Sequence, residues 1–300
     1  MDTSSKLSNN TAIILVSHGS SLPYGEETFT EIKEKFIEKT GLATEVGYMK
    51  VSEPSIAGAV ENLKSEVDDL KRIIAIPVFL APGIHTKIDI PILLGLDPLE
   101  EDPRCPDGNY PDEHYLSIAD DVDFDGEIEL LSPIGPVDEL LDVVNKRIDE
   151  ALSESELDGD AKTGILLVSH GSRLNYNREF ISALFDKFDA DNDYPATFGF
   201  MELCEPSIPM SINKLASEND IERLVVVPVF IAPGVHTTHD IPHILGLLEA
   251  HEHSHSHDHG HDHHHDLTPV EFDGEILYPQ PIGADDILID ILAKMVEDAL

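Results

Sequence analysis

The chain has 300 residues, 41% of them hydrophobic, and sets 59 acids against 19 lysines and arginines, a formal charge of −40. That balance excludes a nucleic-acid binder, which needs clustered cations along its phosphates; it suits a salty cytoplasm that screens self-repulsion. No apolar run reaches the about 18 residues of a membrane span, and the opening MDTSSKLSNN has no signal pattern, so a cytoplasmic protein is expected. Cys105 and Cys204 form neither a CxxC motif nor a disulfide framework and read as reduced thiols.

In chain order, Ala12–Val16 is a short β-branched run of the kind buried in parallel sheets. It is followed by V-S-H-G-S, which carries His18, and by an amphipathic stretch over Glu26–Lys39. The segment S-E-P-S places Glu53 before a second amphipathic stretch, Pro54–Leu70, with Pro54 suited to a first helical turn. A second apolar run, Ile73–Leu80, leads through A-P-G-I to His85 and then to D-I-P.

The same order then returns. TAIILVSHGSSLPYGEETF at 11–29 recurs as TGILLVSHGSRLNYNREF at 163–180, and GYMKVSEPSIAGAVENL at 47–63 as GFMELCEPSIPMSINKL at 199–215. IIAIPVFLAPGIHTKIDIPILLGL at 73–96 recurs as LVVVPVFIAPGVHTTHDIPHILGL at 224–247, and FDGEIELLSPIG at 124–135 as FDGEILYPQPIG at 272–283. Near-constant register across four blocks marks a duplication. The expected domains are 11–152, with an insertion at 97–122, and 162–300, with a His-rich insertion at 249–270. Alternating strands and helices predict an α/β fold, a four-stranded parallel sheet per copy in a flavodoxin-like unit, with ligands outside the carboxyl ends of the strands.

Histidines His18, His85, His170 and His236 recur at strand ends beside glycine, where such a sheet places its site. Two imidazoles and a carboxylate per copy suggest an open metal site for Co(II), Ni(II), Fe(II) or Zn(II). A buried structural histidine could also recur, and spacing alone does not separate a hydrolase that activates water from a chelatase. Glu53 and Glu205 fit helix capping and function equally well. Asp89 and Asp240 read as turn or cap residues. The H-G-S turn lacks the G-x-S-x-G of a serine nucleophile elbow.

V-S-H-G-S, E-P-S-I and P-V-F-x-A-P-G-x-H-T-x-x-D-I-P, each found twice, resemble the class II tetrapyrrole chelatases, and in particular the small archaeal sirohydrochlorin chelatases that insert cobalt or nickel. The resemblance implies a fused version of a small homodimer with an active cleft between its two domains. It implies that His18 and His170 act as ligand and proton acceptor and that His85 and His236 act as ligands. Glu53 and Glu205 would then handle the tetrapyrrole, which would be lined by Leu80, Ala81, Pro82, Gly83, Ile84 and His85, and by Ile231, Ala232, Pro233, Gly234, Val235 and His236. Sirohydrochlorin and a divalent metal are the implied partners, with Co(II) or Ni(II) as substrate, no tightly bound cofactor, and a pseudo-dimeric monomer or a homo-oligomer as the assembly. Metallation releases two pyrrole protons, and neutral imidazole, pKa roughly 6.5 when unperturbed, suits both jobs. A metal-storage or delivery protein on this fold and a ferrochelatase for sirohaem are the alternatives.

Lys87, Arg173 and Arg178 are expected to offset the acidic field around a polycarboxylate substrate. Ser21 faces Arg173 across the repeats and Lys50 faces Glu202, so the copies are expected to have specialised. Both insertion slots read as polar and disordered. The second holds nine histidines, His251, His253, His255, His257, His259, His261, His263, His264 and His265, and reads as an accessory metal-collecting loop or a solvated tract.

Overall fold

A computed structural model of the chain describes residues 10–106, 108–248 and 268–300. The chain folds as two compact units, Met1–Gly135 with Ala284–Leu300, and Pro136–Gly283. No helix among the described residues is long and apolar enough to cross a membrane.

The first unit contains β1 (Thr11–Ser17), α1 (Pro23–Thr40), β2 (Thr44–Tyr48), α2 (Ile56–Glu66) and β3 (Arg72–Pro77). A π-helical turn at His85–Asp89, the short helices α3 (Ile90–Leu93) and α4 (Tyr115–Ile118), and β4 (Glu127–Leu130) complete its first run of chain. Its sheet has the order β2-β1-β3-β4 and all its pairs are parallel. Every residue of β1 is buried, which is why the run is apolar throughout rather than alternating. α2 starts at Ile56, later than its first proline suggests: Ser55 caps it by accepting from the Gly58 amide at 3.1 Å. Pro54 therefore stands outside the helix and not in its first turn.

The second unit repeats this plan. It begins with α5 (Glu139–Ser153), followed by β5 (Thr163–Ser169), α6 (Asn175–Asp191), β6 (Ala196–Phe200), α7 (Ile208–Glu218) and β7 (Arg223–Pro228). A π-helical turn at His236–Asp240, α8 (Ile241–Ile244) and β8 (Glu275–Leu277) follow, and the sheet order is β6-β5-β7-β8, again parallel. The predicted pair of four-stranded parallel α/β sheets is therefore what the chain forms.

The compact units differ from the sequence repeats by one helix each. α5, at the end of the first repeat, packs on β7 and α6 in the second unit. Its Arg147 is buried there and donates to the carbonyls of Pro281 (3.1 Å) and Ile282 (2.7 Å). The last helix, α9 (Asp286–Ala299), closes the first unit against α1, where Lys35 donates to the Ala284 carbonyl at 2.7 Å and Lys39 pairs with Asp290. Both helices bury one apolar stripe, Leu140, Val143, Val144 and Ile148 in α5 and Leu288, Ile289, Leu292 and Val296 in α9.

The segment 97–122 corrects the expectation of a disordered loop. Tyr115, Leu116 and Val122 pack against the core of the first unit, and Arg104 joins Asp89 and Asp102. A few anchors inside a polar composition hold it, and composition alone hides them.

Candidate metal site

In each unit the two central strands run side by side while their connections leave in opposite directions, the switch point at which parallel sheets bind ligands. His18 is the first residue past β1 and His85 follows β3. Their rings meet edge to face, with centroids 5.1 Å apart and planes at 63°. His170 and His236 repeat this at 4.9 Å and 81°. The four recurring histidines thus form two pairs, one per unit, all half-buried.

The second nitrogen of each ring is held. His18 Nδ1 lies 3.0 Å from the Gly19 carbonyl, and His170 Nδ1 lies 3.0 Å from that of Gly171. A carbonyl only accepts, so Nδ1 carries the proton and Nε2 keeps its lone pair. His85 Nδ1 meets Asp89 Oδ2 at 2.5 Å, and His236 Nδ1 meets Asp240 Oδ2 at 2.7 Å, four residues on across the π-helical turn. Asp89 and Asp240 therefore orient the site histidines and are more than turn residues. The H-x-x-x-D spacing, present twice, was the signal for this role.

Asp89 is fully buried. Burial alone would push its carboxyl up, but hydrogen bonds from His85, Arg104 and Tyr115 overrule it and hold the group below the usual carboxylate range. Burial likewise raises Asp240, and His236 and His239 bring it down. A carboxyl with a depressed pKa contributes stability above its unfolded value and loses it as pH falls through the folded one. Removing Arg104 leaves a buried carboxylate without its guanidinium partner, so R104Q should destabilise the first unit by roughly 3 kcal/mol at neutral pH. That cost should shrink as the carboxyl protonates on acidification, and chemical denaturation at neutral and acid pH would show it; an equal cost at both would sink the account.

The site turns are shaped by two close approaches. Val51 and Leu203 have φ of 71° and 62° and centre tight turns closed by Ser52 N–H to the Lys50 carbonyl and Cys204 N–H to the Glu202 carbonyl, both 2.8 Å. Both side chains are exposed, at 68% and 53%. Two apolar side chains held outward on unfavourable backbone, at equivalent positions in both repeats, are the feature that sequence reasoning missed. Ser52 ties its turn down by accepting from the Ser20 amide and donating to the Ser20 carbonyl; Cys204 does the same with Ser172.

Other expected residues fall as follows. Leu80–Ile84 and Ile231–Gly234 are half-buried immediately ahead of the second histidine, and Val235 is exposed. Glu53 and Glu205 are exposed; Glu53 accepts from the Ser55 amide at 2.9 Å, while the helix caps are Ser55 and Ser207. Lys87 pairs with Glu100. Arg178 donates to the Glu205 carbonyl at 2.6 Å and lies over the Phe200 ring. Arg173 is exposed. The nine histidines of 251–265 lie outside the described residues.

The repeats differ around their histidines. The Glu202 carboxylate stands 3.6 Å from His170 Nε2. In the first unit Lys50 lies over the Tyr115 ring, and burial lowers its pKa. Among the described residues no set of three or more His, Cys, Asp and Glu side chains is gathered to hold a metal ion. Each site is therefore built around two imidazoles.

With its imidazoles paired at strand ends of a doubly wound sheet, the chain is a metal chelatase by the family and the relatives it matches. The chain belongs to the CbiX family, whose model matches residues 12–151 and 164–299, one match per repeat. A sirohydrochlorin cobaltochelatase of Methanothermobacter thermautotrophicus is 46% identical over 139 residues, 46% of this chain and 94% of that protein. A probable sirohydrochlorin cobaltochelatase of Halobacterium salinarum is 28% identical over 291 residues, 96% of this chain and 91% of its own length. SirB from Bacillus subtilis, solved with Fe3+, shares the fold with a TM-score of 0.64 at 17% identity, covering 96% of this chain and 95% of that one.

Proposed function

We propose that the chain is a sirohydrochlorin chelatase that inserts Co(II), with Ni(II) as a second metal substrate. The observation that carries this reading is the twice-built imidazole pair, with Nδ1 of every ring engaged. The small archaeal relatives of one-repeat length, named as cobaltochelatases, support cobalt.

In the reaction a divalent ion enters the macrocycle and two pyrrole protons leave, so charge balances as one dication replaces two protons. His18 and His170 are the proposed ligands and proton acceptors. His85 and His236 are the proposed second ligands, aligned by Asp89 and Asp240. Val51 and Leu203 offer exposed apolar surface suited to a flat macrocycle. Leu80–Ile84 and Ile231–Val235 are its proposed flanking loops, and Glu53 and Glu205 face its polar rim.

The test is the initial rate of the absorbance change of sirohydrochlorin with Co(II), Ni(II) and Fe(II) in turn. Acceleration with Co(II) over the protein-free rate is expected. A larger acceleration with Fe(II) would replace this reading by a ferrochelatase, and no acceleration with any metal would leave a metal store on the same fold.

A further inference from the structure

The aspartate ends of the two π-helical turns are chemically different: Asp89 is buried and Asp240 is half-buried. Asp89 and Asp240 each spend one oxygen on a site histidine. The other oxygen of Asp89 takes the Arg104 guanidinium. The other oxygen of Asp240 instead meets Nδ1 of a second imidazole, His239, at 3.1 Å. His239 stands where the first repeat has the buried Ile88, and His243 stands where it has Ile92. Two apolar positions of one repeat are thus imidazoles in the other, and both are exposed, the His239 side chain to 69%.

His239 and His243 lie four residues apart, which puts them on one helical face. Their rings are nearly parallel, at 11°, with centroids 6.2 Å apart. Nδ1 of His239 faces a carboxylate and so carries the proton, leaving Nε2 as a donor to metal. We propose that His239 and His243 form a loading site for a first-row divalent cation, with Asp240 as the carboxylate that links this pair to His236.

Two imidazoles at i and i+4 on a helix are a spacing that ligates such ions, and imidazole suits Co(II), Ni(II) and Zn(II). Two protein ligands make a weak, exchanging site, which serves loading better than storage. Local charge agrees. The second unit sets Glu202 beside His170, whereas the first has Lys50 at the equivalent position, over the Tyr115 ring, and Arg104 on Asp89, the carboxylate that holds His85. The second repeat is therefore the metal-receiving side.

Only the kinetic arm of the test rests on the chelatase reading. The full chain, with the nine histidines of 251–265 replaced by serine, keeps seven imidazoles. Ni(II) alone is added below stoichiometry and the imidazole NMR resonances are followed. His239 and His243 should broaden together, and H239N should abolish broadening at His243, as H243N should at His239. A sharp His243 signal while His236 broadens would overturn the site, as would broadening of one partner that survives loss of the other. In rate assays, H239N/H243N should raise the half-saturating Co(II) concentration about fivefold. An unshifted value, or an equal loss at saturating metal, overturns the loading role. A chain that metallates nothing yet shows the paired broadening would fail the chelatase reading and keep the site.

Discussion

H18N/H170N should lose about 10³-fold in the initial rate of sirohydrochlorin metallation while keeping its circular dichroism and its denaturation midpoint within experimental scatter. The size of the loss follows from two jobs falling on one atom. Nε2 is the lone pair left over once the Gly19 and Gly171 carbonyls have claimed the Nδ1 protons. Asparagine has the bulk to stay in place and an amide N–H that can still reach a carbonyl, but it has no basic nitrogen to bind metal or receive a pyrrole proton. Both rings are half-buried at strand ends and contribute little to either core, so stability is largely spared. A double variant that keeps a tenth of the wild-type rate would remove these histidines from the reaction.

The single variants should be unequal. His170 has a carboxylate 3.6 Å from Nε2, and its partner His236 belongs to the turn that carries His239. The first unit has Lys50 in place of that carboxylate, and its Asp89 is held by Arg104 where Asp240 has His239. Loss of the metal-favouring side should therefore cost more, so H170N is expected to be the slower enzyme. Equal losses would make the two sites interchangeable.

Duplication made much of this legible in advance. Two copies of one motif set act as an internal comparison, and the four paired histidines stand out because they are the ones that recur. Strand positions were readable because fully buried strands need unbroken apolar runs, as in β1 and β5. The role of Asp89 was less visible, because its burial depends on Arg104 and Tyr115, which arrive from a polar segment with no counterpart in the other copy. Exchange of α5 and α9 between units leaves no trace in the pattern either, since an amphipathic stripe records that a helix is buried and not which sheet it covers. Val51 and Leu203 escaped notice because an exposed apolar residue is ordinary in sequence. Only the backbone, with φ above 60° at both, marks them.

Gly19→Ala and Gly171→Ala test the turn that aims the first histidine of each pair. At φ of 87° and 96° these glycines occupy backbone that L-residues avoid, which alone costs about 1–2 kcal/mol for alanine. The steric clash costs more. A Cβ at Gly19 would sit 1.9 Å from the Lys50 carbonyl oxygen, and one at Gly171 would sit 1.8 Å from that of Glu202. Neither oxygen can withdraw freely, because each closes the tight turn around Val51 or Leu203. The backbone must shift, and each substitution should cost about 4 kcal/mol in total. Gly41 provides the control. Its φ is 68° and nothing lies within 4 Å of its would-be Cβ, so G41A should show the conformational cost alone. The Gly171 carbonyl also holds His170 Nδ1, so a displaced turn misaims the ring, and misplacement on the order of 1 Å costs roughly 10²-fold in rate. Denaturation midpoints of G171A and G41A, read beside their metallation rates, separate the two contributions. If G171A were no less stable than G41A, the close approach of the two turns would not be what fixes the site.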